Sequence, residues 1–380
     1  MRFHYIAMPH LPVTKEYISC AFTQKIHKLT RMLLDKGHKV FLYGVDHTDI
    51  KHKNLEFIPT VNLEDIRKEW GDGDNRFELG YDWKNGDFRH DLNKKKTECH
   101  FKFRQRAVKE IRKRKKDDDF LLLSQGYYHK NIADDVKLFL TCEPGIGYRG
   151  SYAKFRAFES AYIQNFTYGS EHPRQSINGN YYDRVIPNYF DLDDFKFSNK
   201  PDNYLFYIGR MIKRKGLATA LMVAQHLDKK LILAGQDSGD WRKIGVEYKK
   251  AEFIGTVGVD ERKKLLSKAM VTFLPTLYLE PFGGTSVESM LSGTPAITTN
   301  FGVFPETIRN GVGGYRCDTL NDFVVNTRKA FQLDRKKVRR YAVSRYSMEA
   351  VNELYEKWWK DLYQVYLSTK SDVKGWHLIK

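Results

Sequence analysis

Cysteine is scarce: Cys20, Cys99, Cys142 and Cys317 are the only four in 380 residues, and no two form a CxxC pair. Neither a zinc site nor a disulfide framework is signalled, and a reducing cytosol is the expected setting. Long apolar runs are missing as well, since no stretch approaches the roughly 20 residues that a membrane span needs. Residues 1–13 carry no sustained apolar core and no small-residue cleavage site, so neither a cleaved leader nor an integral protein is expected. No GxGxxG follows the first strand pattern, where Met8-Pro-His-Leu-Pro12 stands instead. That absence argues against a nicotinamide dehydrogenase. Acidic residues are in deficit, 47 against 64 Lys and Arg, and the formal charge of +17 draws the chain towards polyanions or anionic surfaces.

What is present is an alternation of strand and helix patterns. Residues 3–8 read as a buried strand, 15–36 as a long helix ending at Gly37, and 39–44 as a second strand, together a β-α-β unit. Residues 62–90, rich in Gly, Asp, Asn and Trp without a period, read as an insertion or long loop. Strands are expected at 120–123, 136–141 and 162–166, with a helix at 153–160. A polar stretch at 196–203 reads as a linker, after which a strand at 204–208, a helix from Leu217 and a strand at 231–234 begin a second series. The expectation is an α/β chain of two doubly wound Rossmann-like domains, 1–196 and 203–345. Val351, Leu354, Tyr355, Trp358, Trp359, Leu362 and Val365 then fall at helical spacing. Residues 346–380 are accordingly expected to form a C-terminal helical segment that crosses back to the first domain.

The segment richest in chemistry is Glu280-Pro-Phe-Gly-Gly-Thr-Ser-Val-Glu288, continuing through Ser289-Met-Leu-Ser-Gly-Thr-Pro-Ala-Ile297. It reads as a strand end, a Pro-Phe-Gly-Gly turn with free N–H groups, and a helix start, which suits anions and hydroxyl oxygens. Thr285-x-x-Glu288 is equally a capping box, in which Glu288 only satisfies backbone donors. Spacing leaves both readings open.

This segment resembles the Glu-x7-Glu motif of the retaining family 4 glycosyltransferases of the GT-B fold. Tyr207-Ile-Gly-Arg-Met-Ile-Lys-Arg-Lys-Gly216 is similar to their Gly-Arg-x5-Gly phosphate loop, and Val185-Ile-Pro-Asn-Tyr-Phe-Asp191 to their Ile-Pro-Asn-Gly-Val-Asp strand end. The match is good over residues 185–345 and only in outline before that. The resemblance implies two facing Rossmann-like domains, the first for the acceptor and the second for a nucleotide sugar, with a UDP-sugar expected. It implies that Arg210 and Lys215 hold the donor diphosphate and stabilise the leaving group's charge. Glu288 would hold the ribose hydroxyls, and Glu280 would lie under the donor sugar near its anomeric carbon. Gly283 and Gly284, next to Phe282, would offer N–H groups to sugar oxygens. Gly235 and Val257 mark two weaker segments beside the nucleotide, Ala234-Gly-Gln-Asp-Ser-Gly239 and Phe253-Ile-Gly-Thr-Val-Gly258. The resemblance further implies attack by an acceptor hydroxyl on the face the nucleotide leaves, with the departing phosphate taking the proton. A metal is not expected to be catalytic, and Asp117-Asp-Asp119 reads as a solvated turn.

The first domain departs from the pattern. Relatives have Gly-Gly where Met8-Pro-His-Leu-Pro12 stands, with His10 and Lys15 the nearest polar groups. For the first-domain histidine that relatives place by the reacting sugar, His129, just after the strand expected at 120–123, is the nearest candidate, with His10 second. From Lys94 to Lys116, lysines and arginines face only Glu98 and Glu110, and Phe101, Phe103, Val108 and Ile111 give the run an apolar edge. Either a solvated helix face or a polyanion-binding surface fits. Tyr148, Tyr152, Phe155 and Arg156 could stack on a base or a sugar. The segment 15–25 is similar to glycosyltransferases of phages and large viruses, which would place the protein in the host cytoplasm. The acceptor reading leans to DNA with hydroxymethylated bases, with a glycan or anionic lipid as the alternative. Hexosyl and pentosyl transfer are both open. A non-catalytic nucleic-acid-binding protein on the same scaffold is the rival from another class.

Overall fold

Phe3, Tyr5 and Ile6 are all buried, odd and even positions alike, as a strand covered on both faces requires. The computed structural model describes residues 1–17, 20–70, 98–171, 179–237 and 241–369. By its contacts the chain divides into two units. Unit 1 comprises Met1–Glu159, Ile163–Ile186 and the segment from Val351, and unit 2 comprises Ser160–Tyr162 and Pro187–Ala350.

Unit 1 carries β1 (Arg2–Ile6), α1 (Ala21–Asp35), β2 (Lys39–Val45), β3 (Leu55–Val61), α2 (Leu63–Trp70), α3 (Glu98–Arg114), β4 (Phe120–Leu123), α4 (Gly126–Val136), β5 (Leu140–Ile146), β6 (Phe155–Phe158), most of α5 (Ala161–Glu171) and β7 (Arg184–Val185). Its sheet is parallel, in the order β3-β2-β1-β4-β5-β6-β7. Unit 2 carries β8 (Tyr204–Ile208), α6 (Leu217–His226), β9 (Lys230–Ala234), β10 (Ala251–Phe253), α7 (Val259–Lys268), β11 (Thr272–Leu274), α8 (Gly284–Leu291), β12 (Ala296–Thr299), α9 (Phe304–Thr307), β13 (Gly314–Cys317), α10 (Leu320–Ala330) and α11 (Arg335–Tyr346). Its sheet, also parallel, runs β10-β9-β8-β11-β12-β13. Both sheets are doubly wound, as the strand and helix alternation implies.

The last helix, α12 (Met348–Thr369), lies in unit 1 from Val351 onward. Tyr355, Trp358, Trp359 and Leu362 are at most 1% exposed. The Trp359 ring meets the stacked pair Phe3 and Phe120 edge-on, at 5.5 and 5.6 Å. Each such pair adds about 0.5–1.5 kcal/mol beyond the buried area. Trp358 Nε1 donates to the Tyr182 carbonyl at 3.0 Å, and Asn352 Nδ2 to that of Met32 at 3.0 Å.

Several element boundaries differ from the sequence expectation, each for a local reason. α1 begins at Ala21 rather than at residue 15, because Val13 bridges to Thr48 and the Lys15 N–H is given to Asp49 at 3.0 Å. Residues 63–70 form a helix, not a loop. Asn62 Oδ1 accepts from the Asp65 N–H at 2.7 Å, a start signal present in the sequence. The rest of the expected insertion, from residue 71, lies outside the described residues. Val136 closes α4, so the strand expected at 136–141 becomes β5, from Leu140. The expected helix at 153–160 holds strand β6, and the expected strand at 162–166 lies in α5. Arg156 disguised β6: its charge sits in an apolar four-residue strand, buried against Asp183 at 2.9 Å and Glu171 at 2.9 Å.

Candidate functional site

In unit 2 the strand order reverses direction between β8 and β11, the place where open α/β sheets bind ligands beyond the carboxyl ends of their strands. Two loops leave the sheet there, residues 209–216 after β8 and 275–283 after β11. β11 ends at Leu274, so Glu280 lies in this loop rather than at a strand end. The loops are sewn together through Arg214, whose carbonyl accepts from the Leu277 N–H at 2.7 Å and the Thr276 hydroxyl at 3.2 Å. Gly216 makes the approach possible. Its φ is +73°, and a Cβ there would sit 1.7 Å from the Pro275 carbonyl oxygen. Behind them the turn after β9 closes in the same way. Gly235 has φ +136°, and a Cβ on it would lie 2.1 Å from the Gly209 oxygen.

The result is a cavity of about 100 Å³ lined by Gly209, Lys215, Glu280, Gly283, Gly284 and Thr285, with Tyr207, Ile208, Phe273, Leu274 and Thr276 as its floor and walls. Lys215 Nζ is 2.5 Å from Glu280 Oε1 and 2.9 Å from the Tyr278 hydroxyl. Glu280 is buried. The first turn of α8 closes one side. Gly283 is its N-cap in the left-handed region, and no side chain caps the helix. That leaves N–H groups and the positive end of the helix dipole at the cavity wall. The capping box read from Thr285 and Glu288 is therefore not formed. Because the helix starts at Gly284, Thr285 is already inside the first turn, and Glu288 pairs with Arg262 at 3.6 Å. Burial together with the Glu280 charge raises the Tyr278 phenol above its ordinary pKa, so it stays a neutral donor.

Of the residues singled out for the donor, Lys215, Glu280, Gly283 and Gly284 meet in this one cavity. Arg210 stands exposed on the same loop, and Glu288 lies one turn into α8; neither lines the cavity. Phe282 serves the core instead: it is buried, stacks on Phe190 at 6.2 Å and meets Tyr346 edge-on at 5.9 Å. Val257 is likewise a core residue, packed with Phe206, Ile232 and Leu266. Gly235 works through its backbone, as above. Tyr278 was not singled out by the sequence reading.

Unit 1 places its candidates differently. His129 is buried in α4, hydrogen-bonded through Nε2 to Ser124 Oγ at 3.0 Å, and burial pulls it down to about 3, so it is neutral. It is not the solvated loop histidine that local sequence suggests. His10 is buried too, with Nε2 3.1 Å from Cys20 Sγ. Lys15 is exposed. Asp119, read as part of a solvated turn, is fully buried between Arg2 at 2.8 Å and His4 at 2.9 Å. Phe155 and Arg156 are buried, and the Tyr148 hydroxyl is bonded to Glu143 at 2.7 Å. Tyr152 stays partly exposed, with Tyr127 beside its ring at 5.7 Å and Lys130 Nζ over it at 4.6 Å. The basic run forms α3, with Phe103, Val108 and Ile111 inward and Phe101 57% exposed. Many of its cations are matched: Lys102 and Arg106 by Asp65, Arg104 by Asp135, Lys113 by Glu110 and Arg114 by Glu56. Lys94, Lys95 and Lys96 lie outside the described residues. No described helix is long and apolar enough to cross a membrane.

Residues 190–345 match the family model of glycosyl transferases, group 1. Over 125 residues the chain is 32% identical to the uncharacterized glycosyltransferase MJ1607 of Methanocaldococcus jannaschii, covering 30% of this chain and 31% of that protein. Over 124 residues it is 33% identical to glycogen synthase of Mycobacterium tuberculosis, 30% of each chain. Over 144 residues it is 27% identical to phosphatidyl-myo-inositol mannosyltransferase of the same organism, 34% and 38% of the two chains. The chain thus spans about a third of the length of these curated relatives. Among solved structures, a glycosyltransferase involved in avilamycin A biosynthesis superposes with a TM-score of 0.65 at 18% identity, over 96% of this chain and 98% of its own. Anabaena HepE in complex with UDP and glucose gives 0.61 at 13%, over 95% and 100%. These likenesses extend over both units and show the GT-B fold.

Proposed function

We propose, on the premise that residues 190–345 are a domain of the glycosyl transferases group 1, that this chain is a retaining hexosyltransferase. It would move a sugar from a UDP-sugar to a hydroxyl of a glycan or glycolipid. The observation that carries this reading is the meeting of Lys215 and Glu280 with the uncapped start of α8 in one cavity at the switch point of the sheet. A nucleotide sugar needs those groups. Lys215, with the exposed Arg210 of the same loop, neutralises the charge that grows on the diphosphate as the sugar leaves. Gly283 and Gly284 offer backbone N–H groups to sugar oxygens, Glu280 faces the sugar, and Glu288 accepts from the ribose hydroxyls.

The acceptor oxygen forms its bond to the anomeric carbon on the face that the diphosphate leaves. The bond from that carbon to the phosphate oxygen breaks, and the acceptor's proton passes to the departing diphosphate. No enzyme nucleophile is needed for this retention. The glycan or glycolipid acceptor is favoured over a DNA base on two counts. The relatives named for their acceptors are a glycogen synthase and a phosphatidyl-myo-inositol mannosyltransferase. In the first unit Tyr148, Arg104 and Arg156 are each already bonded to a carboxylate of the same unit.

The test is a transfer and hydrolysis assay with UDP-glucose, UDP-galactose and GDP-mannose against oligosaccharides, phosphatidylinositol and hydroxymethylated DNA. Products are read by mass spectrometry, and anomeric configuration by NMR. Glu280→Ala is expected to abolish transfer with nucleotide affinity nearly unchanged, whereas Arg210→Ala weakens both. Parent-like activity in Glu280→Ala would sink the site, an inverted anomer would sink the mechanism, and a sugar mass on DNA alone would restore the base acceptor.

A further inference from the structure

In Leu277-Tyr-Leu279 the apolar and polar side chains have traded places. Leu277 and Leu279 are 63% and 49% exposed, while Tyr278 between them turns inward. Hydrophobic burial alone would drive the leucines in, so something specific holds the tyrosine. Its hydroxyl accepts from Lys215 Nζ at 2.9 Å, and the same ammonium reaches Glu280 Oε1 at 2.5 Å, so one lysine joins the phenol to the carboxylate. Its ring carries two cations, Lys215 Nζ at 4.7 Å and the Arg214 guanidinium at 5.4 Å from the centroid. The backbone beneath it is fixed through Thr276, whose hydroxyl is bonded to Arg214 and whose carbonyl accepts from Thr299 at 3.0 Å.

We infer that Tyr278 is the positioning residue of this site, keeping the Glu280 carboxylate aimed when Lys215 is drawn from it onto a donor diphosphate. The inference rests on the glycosyltransferase reading and deepens it. Without a ligand, Lys215 serves Glu280 directly. A bound diphosphate offers that ammonium more negative charge and competes for it. Glu280, buried and without its cation, then needs another donor to hold its rotamer, and the neutral phenol beside it is that donor. The ring meanwhile keeps Lys215 over the cavity by cation–π attraction. The hydroxyl thus acts on the sugar's carboxylate and the ring on the phosphate's cation, and the two contributions separate by mutation.

The experiment compares the parent, Tyr278→Phe and Tyr278→Leu by calorimetric binding of UDP and of UDP-glucose, and by the turnover of UDP-glucose. Tyr278→Phe keeps the ring and is expected to bind UDP within about twofold of the parent while kcat falls roughly ten- to a hundredfold at little-changed KM. Tyr278→Leu loses the ring as well and should add a fall of about three- to tenfold in UDP affinity. Parent-like turnover in Tyr278→Phe overturns the inference. So does a loss of UDP affinity in Tyr278→Phe as large as its loss of kcat, since a merely structural role would move both together. A parent that binds neither UDP nor any nucleotide sugar of the panel overturns the glycosyltransferase reading and this inference with it, and that result is visible before any variant is made.

Discussion

Each unit has one point where its strand order reverses, β1 beside β4 in unit 1 and β8 beside β11 in unit 2, and the two points are furnished in opposite ways. In unit 1 polar groups on β5 and in the segments that follow β4 and β5 bond to one another. The Glu143 carboxylate is buried and takes four donors: the N–H groups of Gly126 at 3.0 Å, Tyr152 at 2.8 Å and Ala153 at 3.1 Å, and the Tyr148 hydroxyl at 2.7 Å. His129, in α4, and His10, after β1, are buried and engaged as well. In unit 2 the carboxylate of Glu280 and the ammonium of Lys215 meet at the wall of a cavity whose remaining donors are uncapped N–H groups. The same topology spends its charges on architecture in one unit and presents them to a ligand in the other.

The sharpest way to break that comparison is to cut the internal network. Glu143→Leu strands three backbone donors and a phenol, and unit 1 is expected to lose about 3–5 kcal/mol, read by urea unfolding, while UDP binding by unit 2 persists. Joint loss of both would show that the units do not hold their sites separately. Next in size is Gly216→Ala, where positive φ and the Pro275 carbonyl both oppose a Cβ. It is expected to cost about 2–4 kcal/mol and to abolish UDP binding by calorimetry. Gly37→Ala is the control, with φ +77° but nothing within 4 Å of the added carbon, and should cost only about 1 kcal/mol.

Third is acid. His129 is held neutral down to about 3 in the folded chain and takes its proton near 6.5 when unfolded. Between those values the unfolded state binds more protons, so stability falls as pH drops below about 6.5, by at most about 1.4 kcal/mol per unit. Burial lowers His4 and His38 in unit 1 as well, whereas unit 2 has only the exposed His226. Unfolding followed from pH 7 to 5 should therefore show unit 1 weakening first. His129→Gln should flatten that slope, and an unchanged slope would place the acid sensitivity elsewhere. The smallest effect is expected on α3. Arg104→Ala breaks a half-exposed pair with Asp135 and should shift stability by less than about 1 kcal/mol.

The sequence reading divides along the same line. The switch point of unit 2 is built from two short contiguous motifs, Gly209 to Gly216 and Glu280 to Gly284, each legible by itself although Lys215 and Glu280 are 65 residues apart. Phe282 belongs to the second of these segments, and Val257 to the weaker one at 253–258, yet both serve the core. A motif names positions without saying which way each side chain turns. Tyr278 escaped because its partners lie on the other loop. In unit 1 the decisive partners are separated in the chain and share no motif: Asp119 with His4, Arg156 with Asp183, Glu143 with Gly126. A charge neutralised from that distance looks solvated when read locally. For this reason Asp119 resembled a surface turn, and Arg156 turned strand β6 into an expected helix.

Helix α12 sets a timetable. It follows unit 2 along the chain, yet Tyr355, Trp358 and Trp359 are buried in unit 1, Trp359 against Phe3 and Phe120. As the ribosome delivers the protein, the first strand must wait through the whole of unit 2 before its covering rings emerge. Unit 2 can fold first although it is made second, and the nascent first half is the natural client of a chaperone that shields exposed aromatic surface.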